Sequence, residues 1–140
     1  MSTAALTSFA WNESYSVKIH ALDSQHKRLV DLIAQLQEAR AEGRVRETLG
    51  RILAELILYT EHHFATEERL LELHGYPDLT THKAIHAAFT QKVLDFQSRF
   101  ASGKVVLSVQ MMRFLRGWLI GHIQGIDMNY SEFLNAKGMR

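Results

Sequence analysis

Two pairs of residues in this chain are spaced to grip a metal ion. His63-x-x-x-Glu67 and His82-x-x-x-His86 are each four residues apart, which on a helix puts both side chains on one face, one turn apart. A third pair, His122 and Asp127, is five apart, a spacing that a regular helix would splay. His26 adds a further imidazole. Imidazole and carboxylate without thiolate suit iron, zinc or manganese. The chain has no cysteine, so zinc–thiolate sites, disulfides, thiol catalysis and cysteine-held iron–sulfur clusters are excluded. Five histidines and two carboxylates are too many donors for one tetrahedral zinc. They suit two six-coordinate ions bridged by carboxylates and solvent.

Such donors converge only if long elements hold them. Apolar residues recur every three or four positions over most of the chain after Leu22, the period of amphipathic helices. The pattern predicts helices near 23–41, 45–74, 78–101 and 106–135. The first has an inner seam of Leu22, His26, Leu29, Ile33 and Leu36. The second carries Leu49, Leu53, Leu56, Thr60, His63, Glu67 and Leu70. Along the third run Leu79, His82, His86, Phe89, Val93, Phe96 and Phe100, and along the fourth Met112, Leu115, Leu119, His122 and Ile126. Gly43, Gly75-Tyr76-Pro77 and Ser102-Gly103 punctuate them. Short links favour antiparallel neighbours. The expected fold is therefore all-α, an up-down-up-down antiparallel four-helix bundle with an N-terminal arm. Its boundaries are one domain over 1–140, the arm at 1–21 and the bundle at 22–136. Phe9, Trp11 and Tyr15 of the arm are expected to pack on the bundle.

Burying His, Glu or Asp costs several kcal/mol unless each is paired or bound to metal. Here His26, His63, Glu67, His82, His86 and His122 all fall on inner seams. In an up-down bundle their positions along the helices also bring them to one end, with Asp127 at the same height. Independent structural histidines have no reason to converge in this way. The apolar phase slips by one residue between His122 and Asp127, with Gly121 and Gly125 alongside. A slip of that kind predicts a π-bulge, a feature frequent at functional sites.

At these residues the chain resembles the hemerythrin family over nearly its whole length. The motifs are Asp23-Ser24-Gln25-His26, His63-Phe64-Ala65-Thr66-Glu67-Glu68, His82-Lys83-Ala84-Ile85-His86 and His122-Ile123-Gln124-Gly125-Ile126-Asp127, with Gly75-Tyr76-Pro77 and Trp118-Leu119 as flanking matches. The single-domain length resembles the stand-alone bacterial members of the family. The resemblance implies a non-haem di-iron centre with an oxo or hydroxo bridge. His82, His86 and His122 would bind one iron, His26 and His63 the other, and Glu67 and Asp127 would bridge them. It further implies that O₂ binds reversibly at the iron with two histidines, in a pocket kept dry and apolar. Leu22 and Leu29, Thr60 and Phe64, and Leu119 and Ile123 are the side chains placed to line it.

That reading makes the chain a binding protein for O₂ carriage, storage or delivery, not an enzyme. Two alternatives stand beside it: a di-iron oxidase or peroxidase, and a sensor of O₂, NO or iron acting through a partner. Ferritin-like oxidases use four carboxylates and two Glu-x-x-His motifs, and no Glu-x-x-His occurs here. Charge is nearly balanced, with 16 Lys and Arg against 15 Asp and Glu, which gives no nucleic-acid footprint. No run approaches the roughly 18 apolar residues of a membrane span, and residues 1–10 lack the layout of a signal peptide. A cytoplasmic location is the expectation.

The other polar residues read as ordinary. His20 belongs to the arm surface. His62 points about 100° away from His63. His74 suits a helix C-terminus. Met111 and Met112 fill core. Glu68, Arg69 and Glu72 form a solvated face. Trp118 and Tyr130 either support the site or simply pack, and Asp23 and Gln25 are placed to orient ligand histidines.

Overall fold

The computed structural model describes residues 8–140, so the first seven residues of the expected arm lie outside the described part. A short 3₁₀ turn, Glu13–Tyr15, is followed by α1 (His20–Ala41), α2 (Arg46–Leu73), α3 (Leu79–Ala101) and α4 (Val109–His122). A π-helical turn, Ile123–Asp127, then joins α4 to α5 (Met128–Ala136), so that the fourth rod of the bundle is α4, the π turn and α5 end to end. No strand occurs among the described residues. The architecture is the all-helical four-rod bundle that the apolar period demands. α2 packs against both α1 and α3, and α4 lies against α1.

The core follows the seams with small shifts that have helical causes. Leu22, Leu29, Leu36, Leu53, Leu56, Phe89, Val93, Met112, Leu115 and Leu119 are buried as expected. On α2, Leu71 is buried and Leu70 only partly so, because after Glu67 the 3.6-residue period brings the residue four positions on, rather than three, to the inside. On the fourth rod the extra residue of the π turn rotates the phase. Ile123 is fully buried, and Ile126, expected on the seam, is only half-buried.

Helix ends are closed by the chain itself. After α2, Gly75 adopts φ 71°. That left-handed conformation lets Tyr76 N–H reach back to Leu71 O and Gly75 N–H to Glu72 O, the Schellman arrangement in which glycine carries no Cβ penalty. The same pattern closes α1, with Arg44 N–H reaching back to Ala39 O, and α3, with Lys104 N–H reaching back to Arg99 O. Ser108 Oγ accepts Met111 N–H and sets the start of α4, three residues later than the period alone suggests.

α1 begins three residues earlier than expected, at His20, and the preceding segment is tied down. Asp23 accepts from Ser16 Oγ (2.6 Å) and from Val17 N–H (2.8 Å). Ser131 Oγ donates to Val17 O, and Asn135 Nδ2 to Lys18 O. Val17 and Ile19 have no exposed surface. Further out, Phe9 is buried beneath the Arg116 guanidinium, 4.6 Å from its ring centre. Trp11 and Tyr15 meet each other edge to face, and both pack against the core. The segment strapped over this end of the bundle covers the elements that carry the clustered polar residues.

Candidate metal centre

Each of the seven side chains comes from a helix stretch whose apolar neighbours force it inward. His26 follows Leu22 by one turn, His63 follows Thr60, and His82 and His86 precede Phe89. The π turn does the same for the last pair. Met128 N–H donates to Ile123 O, five residues back, and the widened turn restores His122 and Asp127 to a common face. All seven are buried, with Asp127, Glu67 and His26 fully so.

Their donor atoms sort into two groups with a shared pair. Glu67 Oε1 lies 2.7 Å from His82 Nε2 and 3.1 Å from His86 Nε2. Its other oxygen, Oε2, lies 3.3 Å from His63 Nε2 and 3.5 Å from His26 Nε2. Asp127 is split in the same sense. Oδ1 faces His122 Nε2 at 3.1 Å and His82 Nε2 at 3.2 Å, and Oδ2 faces His26 Nε2 at 3.2 Å. There are thus two donor sets, one of Glu67, His82, His86, His122 and Asp127 and one of His26, His63, Glu67 and Asp127, with the donor atoms of each within 4.8 Å of one another. Both carboxylates belong to both.

These contacts fit metal ions better than they fit hydrogen bonds. His26 Nε2 and both Asp127 oxygens are buried without a hydrogen-bond partner among the described residues, although Nε2 and Oδ2 stand 3.2 Å apart. Orphaned polar atoms at that depth cost about 1–3 kcal/mol each, and a cation placed among them satisfies all of them at once. His86 Nε2 and His122 Nε2 also turn toward each other, 3.1 Å apart.

Electrostatics describe what the cluster does without a cation. Burial by itself pushes the Glu67 and Asp127 carboxyls up, but the surrounding imidazoles outweigh it. His63, His26 and His82 hold Glu67 well below the usual carboxylate range, and His122, His26 and His82 hold Asp127 low. For His26 and His82, burial lowers the pKa, and the two carboxylates more than reverse this, raising both to about 9. Burial dominates at His63, whose pKa is lowered. Protons on His26 and His82 therefore balance the two carboxylates in the metal-free chain, and cations must displace them.

A second ring of contacts orients the donors. Gln25 Oε1 meets His63 Nδ1 at 2.6 Å, as the sequence reading allowed. Asp23 does not take part; it clasps residues 16 and 17. Tyr130 OH donates to Glu67 Oε2 at 2.7 Å, and burial with the nearby carboxylates pushes the Tyr130 phenol well up, so it stays a donor. Trp118 stacks on the His122 ring (4.5 Å, 10°) and Phe64 on the His86 ring (3.7 Å, 3°). Glu68, read from the sequence as part of a solvated face, instead places Oε2 2.8 Å from His86 Nδ1. Its position directly after Glu67 was the available signal. The remaining histidines lie outside the cluster. His20 and His62 are exposed, and His74 Nδ1 bonds Leu70 O at the end of α2.

Beside the donors, running into the core along Leu53, Val93 and Leu115, lies an apolar cavity of about 20 Å³, walled at the donor end by Leu29, Thr60, Phe64, Trp118 and Leu119. Leu22 and Ile123, expected at the pocket, do not reach it. Thr60 Oγ1 donates to Leu56 O, so its hydroxyl is already used. The space is large enough for about one water-sized molecule yet offers it no polar partner, a combination that leaves such cavities dry.

Comparison with known proteins points one way. The family model of the hemerythrin HHE cation binding domain matches residues 17–134. A bacteriohemerythrin of Stenotrophomonas maltophilia is 32% identical over 90% of this chain and 81% of its own length. One from Methylococcus capsulatus is 33% identical over 87% and 92%. The myohemerythrin of Riftia pachyptila is 32% identical over 93% and 97%. A crystal structure of wild-type hemerythrin superposes with a TM-score of 0.84 at 32% identity, covering 91% of this chain and 97% of that one.

Proposed function

The chain belongs to the hemerythrin family, whose members bind O₂ at a di-iron site, and from that premise we propose that it binds O₂ reversibly at a non-haem di-iron centre of its own. His82, His86 and His122 would hold one iron and His26 and His63 the other, with Glu67 and Asp127 shared between the two groups. The observation that carries this assignment is the split of both carboxylates, each with one oxygen toward the three-histidine group and the other toward the two-histidine group. With one protein donor fewer, the two-histidine side is where a small ligand can enter.

Once iron is bound, the chemistry supplied is reversible two-electron exchange with O₂. The protein's part is placement and exclusion. Tyr130 OH orients the Glu67 carboxylate by its hydrogen bond to Oε2, and Gln25 fixes the ring of His63. Phe64 and Trp118 clamp the imidazoles of His86 and His122 by stacking. Leu119, Phe64 and the back-bonded Thr60 keep the adjoining cavity apolar, which keeps water and its protons from the bound gas. A donor set rich in neutral imidazole, without Glu-x-x-His, brings less negative charge to the irons than a carboxylate-rich oxidase site. That favours reversible binding over oxidation of a substrate.

Two measurements test the reading. Protein from iron-replete cells should carry about two irons per chain by elemental analysis. Its visible charge-transfer absorption should appear under air and bleach under vacuum over repeated cycles. One zinc per chain, or a band that never bleaches, would overturn it.

A further inference from the structure

The imidazoles around the centre are not backed alike. His86 Nδ1 meets a carboxylate, Glu68 Oε2, at 2.8 Å. His63 Nδ1 meets a neutral amide oxygen, Gln25 Oε1, at 2.6 Å. His26 Nδ1 is buried with no hydrogen-bond partner among the described residues. An anionic acceptor thus stands behind a member of the three-histidine group, and the two-histidine group has one neutral acceptor and one orphan.

Resting on the di-iron reading above, we propose that Glu68 is a positioning residue that makes the three-histidine metal position the more electron-rich of the two, and that Gln25 aligns His63 without adding charge. The physical route is short. An N–H donated to a carboxylate fixes the imidazole tautomer and raises the basicity of the nitrogen facing the metal. Greater donation from His86 Nε2 stabilises the higher oxidation state of the ion it holds. An amide acceptor fixes the same tautomer with far less donation, because a charge-assisted bond is roughly twice as strong as a neutral one. Glu68 is well placed for this. Its side chain is 24% exposed, so it keeps some contact with water while its inner oxygen reaches His86. Phe64, stacked on the face of the His86 ring, prevents the imidazole from rotating out of line. The arrangement spans two helices, with Glu68 on α2 and His86 on α3, so it is not a by-product of local helix spacing.

Charge and shape can be separated by substitution. Glu68→Gln keeps an acceptor of the same size and removes the charge. Gln25→Glu introduces a charge behind His63. Both variants and the parent are loaded with iron, assayed for iron content, and titrated for the midpoint potential of the centre. Affinity for cobalt(II) is measured separately as a readout that does not involve O₂. The expected result for Glu68→Gln is an unchanged two irons per chain, a more positive midpoint and cobalt affinity lower by about tenfold, the lower end of what outer contacts usually contribute. Gln25→Glu should move the midpoint the other way. A midpoint unmoved in Glu68→Gln with iron retained would overturn the proposal, since a merely structural contact survives that change. If Glu68→Gln loses iron, the cobalt(II) affinity of Glu68→Asp decides: recovery toward the parent value supports a charge role, and no recovery overturns it. A parent protein that does not hold two irons would instead overturn the di-iron reading itself.

Discussion

The two ends of the bundle use the same helices and the same seam positions, yet they are held together by different forces. At one end Leu36, Leu53, Phe100 and Met112 fill the seams and are almost wholly buried. Removing side chains of this kind from water stabilises by about 1.5–3 kcal/mol each, and no partner is required. At the other end the seam positions are His26, His63, Glu67, His82, His86, His122 and Asp127. Those groups favour the folded state only when protons or cations compensate the buried charge. One end is self-sufficient, and the other is a site whose stability is tied to what it binds.

The largest effect should come from breaking the polar end. His82 touches both carboxylates, so His82→Ala should cut iron from about two per chain to one or fewer and lower the thermal midpoint. His20→Ala, on the exposed start of α1, should change neither. Elemental analysis and a melting curve make the comparison, and equal iron loss in both variants would show that the donor set is wrong. The counterpart at the apolar end is Leu36→Ala. It should cost about 2–5 kcal/mol of stability while iron per chain stays at the parent value. If the loss of this leucine also empties the metal end, the two ends are not independent.

A smaller effect is expected at the boundary between the ends, where Leu119 walls the dry cavity. Leu119→Ser should admit water and speed autoxidation in air-saturated buffer severalfold, with iron content unchanged. Leu36→Ser is the control. Equal acceleration in both would mean general loosening and no special part for Leu119.

The smallest effect concerns pH. In the metal-free chain His26 and His82 have pKa values near 9, against 6.5 unperturbed. Folded, they bind more protons than the unfolded chain between those values. Their contribution to stability is therefore complete below about pH 6.5 and is lost as pH rises through about 9. The unfolding free energy of the metal-free protein, read from denaturant titrations, should fall between pH 7 and 9.5 by a few kcal/mol at most. The iron-loaded protein should be flat over the same window, because its donor lone pairs are already taken. A parallel decline in both forms would mean that protons and cations do not compete for these groups.

Much of this was legible before any coordinates. Helix number, the antiparallel order and the inward-facing histidines follow from period and spacing, because helical geometry is local: residues three and four apart share a face whatever surrounds them. The π turn was legible for the same reason, since His122 and Asp127 share a face only if one residue is looped out. Where the structure departs from the period, the cause is also local in form. Leu70 gave way to Leu71 on α2, and Ile126 turned half outward, because small errors of phase accumulate along a rod and across a bulge.

The amino-acid order by itself therefore determined which residues face inward, at what height, and with which chemistry. Only the packed structure decided which atoms meet. Asp23 and Gln25 flank one another in the same motif, yet Asp23 turns to the arm and Gln25 to His63. Glu68 appears solvent-facing on its own helix and becomes the partner of His86 because α3 is set against α2. The division of each carboxylate between two histidine groups likewise depends on four rods meeting at one level. Facing direction is set by bonds a few residues apart. Contact across helices is set by how rods tilt and slide as their apolar seams interlock, and that reflects every seam at once.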